Sequence, residues 1–260
     1  MKRSACIDAM YQEIPFLERF AAAKRDGFDA VEFWGWTDKD LSAVKSTAEA
    51  AGIPICGFNG DAELSLIDPS QADAYMEHLK KSVETAIFLG APCVTIHSNG
   101  LGDGGVVIDP LDNLSDTVRT CAMFGTLEKC AKLAEESGIQ MNLEGLNITT
   151  DHVGNYLKYT KDAAEMIRLI GSPKLKVLYD VYHMQINEGC ICDTIRLYGD
   201  TFGHVHIADA PGRHEPGTGE IYFPRVYRAL EEAGYEGYVG YELFPETTTE
   251  KAVKAIMTLV

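Results

Sequence analysis

A chain of 260 residues that is 46% apolar can bury one sizeable core and is short for two independent domains. Its net charge of −16, with no basic run, excludes the clustered Lys and Arg that a polyanion partner needs, so no nucleic acid is expected as a ligand. No apolar run approaches the roughly 18 residues that span a bilayer, none follows Lys2 and Arg3, and the seven scattered cysteines fit reduced thiols, so a cytoplasmic protein with no membrane partner is expected.

Eight apolar runs read as strands: Ser4–Asp8, Ala30–Trp34, Pro54–Phe58, Cys93–His97, Gln140–Glu144, Lys176–Asp180, His204–Ile207 and Tyr238–Glu242. Between them, Phe16–Arg25, Leu41–Ala51, Ala72–Leu89, Thr117–Glu136, Thr160–Ile170 and Phe223–Ala233 carry helical periodicity with charged faces. Gly27, Gly52, Gly90, Gly138, Gly171 and Gly234 stand where helices should end. Repeated strand, helix and glycine-capped return predict an α/β fold, a single (β/α)₈ TIM barrel over residues 1–260. An open doubly wound sheet is the alternative, weakened by the lack of a G-x-G-x-x-G after the first strand. No linker or repeat divides the chain, and the long non-periodic stretch Ser98–Ser115 reads as a lid or site wall. Cys190 and Cys192 lack a second pair, so no structural zinc site is expected there.

In such a barrel the C-terminal strand ends share one face. That face would collect Asp8, Glu32, Asn59, His97, Glu144, Asp180, His206 and Glu242, with Asn147, His183 and Arg213 on the following loops. His204 and His206 alternate with β-branched residues and point to the same side of their strand. After it, Pro211, Gly212, Pro216, Gly217 and Gly219 force a loop that offers Arg213, Glu215 and Glu220. A single carboxylate at a strand end is usually a cap or an ion-pair partner. Three of them with one imidazole, at Glu144, Asp180, His206 and Glu242, would crowd like charges and call for a divalent cation. Oxygen-rich ligation with one nitrogen suits Mn²⁺ or Mg²⁺, with Co²⁺ or Zn²⁺ also compatible.

These positions lie in motifs that resemble the xylose isomerase-like barrel superfamily, and within it the hydroxypyruvate isomerase branch. The likeness is carried by Val31-Glu-Phe-Trp34, by Leu143-Glu-Gly-Leu-Asn147 with Asp151-His152-x-Gly154, and by Asp180-Val-Tyr-His183-Met. It continues through His204-Val-His-Ile-Ala208 into Gly212-Arg-His-Glu-Pro216 and Gly219-Glu220, and ends on Gly234-Tyr-x-Gly237 with Tyr241-Glu242. The resemblance implies metal ligands Glu144, Asp180, His206 and Glu242, the two glutamates doubling as acid and base. It also implies that His183, Arg213, Asn147 and His97 hold substrate oxygens, and that the protein forms a homodimer or homotetramer. It matches His206 and not His204, which becomes either a packing residue or a support behind the metal ligands. There are two departures: members of that branch often carry Gln where His206 stands and Pro where Gly145 stands. His206 is instead shared with the ketose 3-epimerases of the same superfamily.

The chemistry expected of these groups is proton transfer beside a carbonyl. A small hydroxy-carbonyl substrate bound to the cation would lose a proton to give an enediolate. One glutamate would take the proton and the other return it, to the neighbouring carbon for isomerisation or to the opposite face of the same carbon for epimerisation. The planar fork of Arg213 suits a carboxylate, hence a 2-oxo or 3-oxo acid such as hydroxypyruvate, isomerised to tartronate semialdehyde, over a neutral sugar. A salt bridge from Arg213 to Glu215 or Glu220 is the plainer alternative, and Trp34, Trp36 and Phe244 either wall the pocket or pack in the rim. The rival functions are a ketose 3-epimerase or other sugar isomerase, an eliminase of 3-oxo-glycosides, a metal-dependent phosphodiesterase and a non-catalytic sugar-binding protein.

Overall fold

Strands of a parallel sheet covered by helices are buried on both faces, so they are apolar throughout instead of alternating. The computed structural model describes residues 1–259, and in it β2 (Ala30–Phe33), β3 (Ile55–Phe58) and β4 (Cys93–His97) are buried at every position. With β1 (Lys2–Cys6), β5 (Gln140–Glu144), β6 (Leu175–Asp180), β7 (Phe202–His206) and β8 (Tyr238–Tyr241) they form a parallel sheet in the order β3-β2-β1-β8-β7-β6-β5-β4. All eight expected strands are present, each with ends within two residues of the expected ones.

The outer layer contains the six expected helices, α1 (Phe16–Arg25), α2 (Leu41–Ala51), α3 (Ala72–Leu89), α4 (Asp116–Ser137), α5 (Thr160–Ile170) and α8 (Phe223–Glu232). The last shows why they form and where they dock: Phe223, Val226, Tyr227 and Leu230 are buried at one-turn spacing. Three further helices are α6 (Val181–Asn187), α7 (Ile191–Tyr198) and α9 (Thr249–Met257). The seven residues of α6 are too short for a periodic signal. It forms because Asp180 caps it, Oδ1 accepting from the Tyr182 and His183 amides at 2.7 and 3.1 Å. No helix among the described residues is long and apolar enough to cross a membrane.

The seam between β3 and β4 closes the barrel. It is held by a single parallel bridge, Asn59 to Thr95, with the Gly60 amide donating to the Thr95 carbonyl at 2.7 Å. This approach requires glycine, because a Cβ on Gly60 would lie 2.8 Å from Val94 Cβ. The Ser98–Ser115 stretch leaves β4 beside this seam and is tied down at its start. Asn99 Oδ1 accepts from the Tyr156 amide at 2.7 Å, and its Nδ2 donates to the Asp109 carbonyl at 3.1 Å. We expect Gly60→Ala to destabilise the protein by about 1–3 kcal/mol through overpacking. The urea midpoint should fall at unchanged slope, and an unaltered midpoint would show that the seam can relax.

Candidate active site

The parallel register sets the site. It pairs His97 with Glu144, Asp180 with His206, and His206 with Gly240, two residues before Glu242. Four strand ends therefore bring Glu144, Asp180, His206 and Glu242 together, all buried, with one ligand atom from each lying within 4.8 Å of the others. His206 Nδ1 faces the three carboxylates, 3.2 Å from Glu242 Oε2 and 3.9 Å from both Asp180 Oδ2 and Glu144 Oε1.

Each ligand is aimed by a separate device. Glu144 Oε2 meets His97 Nε2 at 3.0 Å, and His97 Nδ1 meets Asp61 Oδ1 at 3.1 Å. Burial pulls the His97 pKa down, but Asp61 and Glu144 outweigh it and hold the imidazole up at about 10. Asp180 spends Oδ1 on the α6 cap, which leaves Oδ2 facing the centre. His206 Nε2 lies 3.2 Å from Glu32 Oε1, and the other Glu32 oxygen takes His204 Nε2 at 2.8 Å and the Ser4 hydroxyl at 3.2 Å. Nε2 is thus turned to Glu32 and Nδ1 to the centre; against burial, Glu32 and Glu242 raise the pKa of the ring, and Nδ1 would serve a cation on losing its proton. Glu242 accepts from Arg213 Nη2 at 2.6 Å and from the Trp34 indole. Burial would raise the Glu242 pKa, but Arg213 and His206 overcome it and hold the carboxyl well below the usual range.

Arg213 reaches Glu242 because its loop is tied from inside. The buried Asp209 accepts from the Ala210 and Ile221 amides, both at 3.0 Å, and from Gly217 at 2.8 Å. The far side is pinned to the end of β8, Phe244 N donating to the Arg213 carbonyl at 2.9 Å. Neither plainer partner is used: Glu215 accepts from the Glu246 amide, and Glu220 from Gln185.

The donor set fits a divalent ion. Glu144 Oε1 and His206 Nδ1 are buried without a hydrogen-bond partner, although each could serve as a ligand. Burial and the neighbouring Glu144 raise the Asp180 pKa to about 7, against the opposing charges of Arg213 and His206. Three oxygens and one nitrogen therefore form a cluster that could hold a hard or borderline divalent metal. Among the described residues no comparable group forms around Cys190 and Cys192.

Residues 20–259 match the model of the xylose isomerase-like TIM barrel family. The chain belongs to this family. It is 30% identical to the 2-oxo-tetronate isomerase of Cupriavidus necator, over 95% of this chain and 94% of that one. It is 29% identical to the hydroxypyruvate isomerase of Escherichia coli K12, over 98% and 97% of the two chains. Among solved structures, one titled AP endonuclease, family 2, from Brucella melitensis superposes with a TM-score of 0.88 at 25% identity, covering 97% of both chains.

In this member of the family, two of the residues expected to meet substrate have no open valence. His97 has both ring nitrogens taken by Asp61 and Glu144. Asn147 Oδ1 accepts from the Thr150 and Asp151 amides at 3.1 and 3.0 Å, and Nδ2 donates to Asp151 Oδ2 at 2.6 Å and to His183 Nδ1 at 2.8 Å. Since an amide nitrogen only donates, His183 Nδ1 holds a lone pair and its proton sits on Nε2, buried and unpartnered. Burial and Arg213 keep this imidazole neutral, its pKa well below the ordinary value. Trp36 stands apart, stacked on His78 and donating to Ser82, and Asp8 accepts from the Trp34 amide. Asp61 was not among the expected residues, because it lies past the end of β3 and reaches His97 only through the closed seam.

Gly240 links the register to the metal cluster. A Cβ there would collide with Glu32 Oε1 and sit 2.8 Å from His206 Cδ2. We expect Gly240→Ala to displace Glu32 from His206 and weaken Mn²⁺ binding about 10–100-fold. Calorimetric titration would measure this in protein whose circular dichroism is unchanged, and equal affinity would remove Glu32 from the set that aims His206.

Proposed function

We propose that the protein is a metal-dependent isomerase that moves a proton between adjacent carbons of a small 2-oxo acid through an enediolate, with hydroxypyruvate giving tartronate semialdehyde as the reference reaction. The observation that carries this reading is the Arg213–Glu242 contact at 2.6 Å, which places a guanidinium against the candidate metal cluster. A guanidinium there has N–H groups beyond the one given to Glu242 and can hold the carboxylate of a 2-oxo acid, a charge-assisted contact that a neutral ketose does not offer. The names of the two relatives, 2-oxo-tetronate isomerase and hydroxypyruvate isomerase, agree with a 2-oxo acid substrate.

Glu144, Asp180, His206 and Glu242 would hold the ion. When bound, a divalent cation supplies positive charge to the oxygens that become negative as the enediolate forms. One glutamate removes a proton from the hydroxyl-bearing carbon and the other delivers one to the former carbonyl carbon, while the hydroxyl proton passes to the former carbonyl oxygen, so that the substrate is redistributed and not oxidised overall. Arg213 orients the carboxylate, and His183 Nε2–H donates to a substrate oxygen. His97 and Asn147 position Glu144 and His183 respectively. All seven cysteines are free and four are buried, which supports a reducing, cytoplasmic setting. Homo-oligomerisation is part of the same proposal.

Protein purified without added metal should contain a divalent ion that Glu144→Gln and Glu242→Gln lose, as read by elemental analysis. Unchanged occupancy in both variants would rule out the four-ligand site. Wild-type protein should exchange solvent deuterium into hydroxypyruvate, and either glutamine variant should do so about 10²–10⁴-fold more slowly. Arg213→Met should raise KM for the 2-oxo acid about 10–100-fold. Turnover of free ketoses with no turnover of hydroxypyruvate would favour a 3-epimerase.

A further inference from the structure

Among the groups around the cluster, one buried nitrogen has no task in the mechanism above. His152 follows Asp151, the carboxylate that accepts from Asn147, and its ring packs edge-on against the His183 ring at 5.1 Å. It is 6% exposed. Its Nδ1 lies 2.6 Å from the Gly105 carbonyl, and since a carbonyl only accepts, the ring proton must be on Nδ1. The turn is shaped to this ring, because Gly105 has φ +77° and a Cβ there would lie 2.6 Å from His152 Cε1. Burial, followed by the charges of Arg213 and His97, lowers the pKa and keeps the imidazole neutral. Nε2 is therefore a bare acceptor, buried without a partner, on a ring packed against that of His183, whose Nε2–H is also unpartnered.

These two imidazoles are complementary: one offers a proton and the other a lone pair. A three-carbon hydroxy-oxo acid uses its carboxylate on Arg213 and its remaining two oxygens at the reacting carbons. It has no further hydroxyl for His152, and a buried acceptor left unpaired opposes binding. We propose that His152 is a specificity-determining residue whose Nε2 accepts a hydrogen bond from a hydroxyl beyond the reacting pair, so that the site takes polyhydroxylated 2-oxo acids longer than three carbons. This inference rests on the isomerase reading for its choice of substrate class. A carboxylate at the same position is disfavoured, because it would oppose the Nε2 lone pair.

The test uses two side chains that divide the functions of histidine. His152→Asn keeps an amide donor where Nδ1 meets the Gly105 carbonyl and removes the Nε2 acceptor. His152→Gln can place a polar group near the Nε2 position and gives up the loop contact. We expect His152→Asn to lower kcat/KM for 2-oxo-tetronate relative to hydroxypyruvate by about 10–100-fold, and His152→Gln to recover part of that ratio. If the imidazole serves only to hold the 102–105 turn, the order reverses: the Asn variant behaves as wild type, the Gln variant loses both activities equally, and the proposal fails. A second readout needs no turnover. In Mg²⁺-loaded protein with ¹⁵N-labelled histidine, the His152 Nε2 resonance should shift with a four-carbon hydroxy acid and stay in place with a three-carbon one. That shift in a protein that turns over neither oxo acid would overturn the isomerase reading and leave His152 as a hydroxyl acceptor. Turnover with an unchanged ratio and no shift would overturn the His152 proposal alone.

Discussion

Like-charge crowding at the barrel mouth is the constraint that the surrounding structure answers. Glu144, Asp180 and Glu242 converge on His206 Nδ1 in a buried setting where an unpaired carboxylate costs several kcal/mol. Each has one oxygen fixed from outside, by His97, by the α6 cap and by Trp34 respectively, and turns another toward the centre. The supporting layer repeats this economy. Asp61 stands behind His97, and Glu32 stands between His204 and His206. Five carboxylates are thus gathered around Arg213 and two imidazoles, His97 and His206, whose pKa values they raise, and the excess negative charge points to where a divalent ion would sit.

The two glutamates are alike in sequence and differ in surroundings. Glu144 faces an imidazolium backed by a second carboxylate, a partner that can itself gain or lose a proton. Glu242 faces a guanidinium that cannot, together with an indole N–H. Two carboxyl groups with separate environments are what acid and base roles on adjacent carbons require, since identical groups would hold the same protonation state at once. The asymmetry originates in topology: β4 supplies the neighbour of β5, whereas the long β7 loop supplies the neighbour of β8.

Much of the fold could be read from the sequence, for a physical reason. Parallel strands are buried on both faces, so they appear as uninterrupted apolar runs, and a polar residue at the end of such a run stands out. Glu144, Asp180, His206 and Glu242 were visible in this way. What could not be read is how polar groups satisfy one another across the barrel. His97 and Asn147 look like open hydrogen-bonding residues until Asp61 and Asp151 are placed beside them. Arg213 has two nearer acidic residues in its own loop, yet it crosses to Glu242 because the Asp209 knot turns those residues elsewhere. The helices α6, α7 and α9 were not among the segments read because all three are shorter than ten residues, and the first depends on a cap that doubles as a candidate ligand.

Unsatisfied buried polar atoms give this division a second measure. Eleven side-chain atoms among the described residues are buried without a hydrogen-bond partner, and five of them belong to Glu144, His152, His183, His206 and Arg213 at one barrel mouth. Folding normally pairs such groups, because each orphan costs about 1–3 kcal/mol. Their concentration at one mouth is what the proposed metal and substrate would relieve. The open set comprises a carboxylate oxygen and an imidazole nitrogen at the cluster, a guanidinium N–H, one imidazole donor and one imidazole acceptor. Read as a mould, it is complementary to the cation and the hydroxylated 2-oxo acid proposed above. Thus the polar atoms left unpaired describe the ligand more fully than those that are paired, while the paired ones, His97 and Asn147 among them, hold the mould in shape.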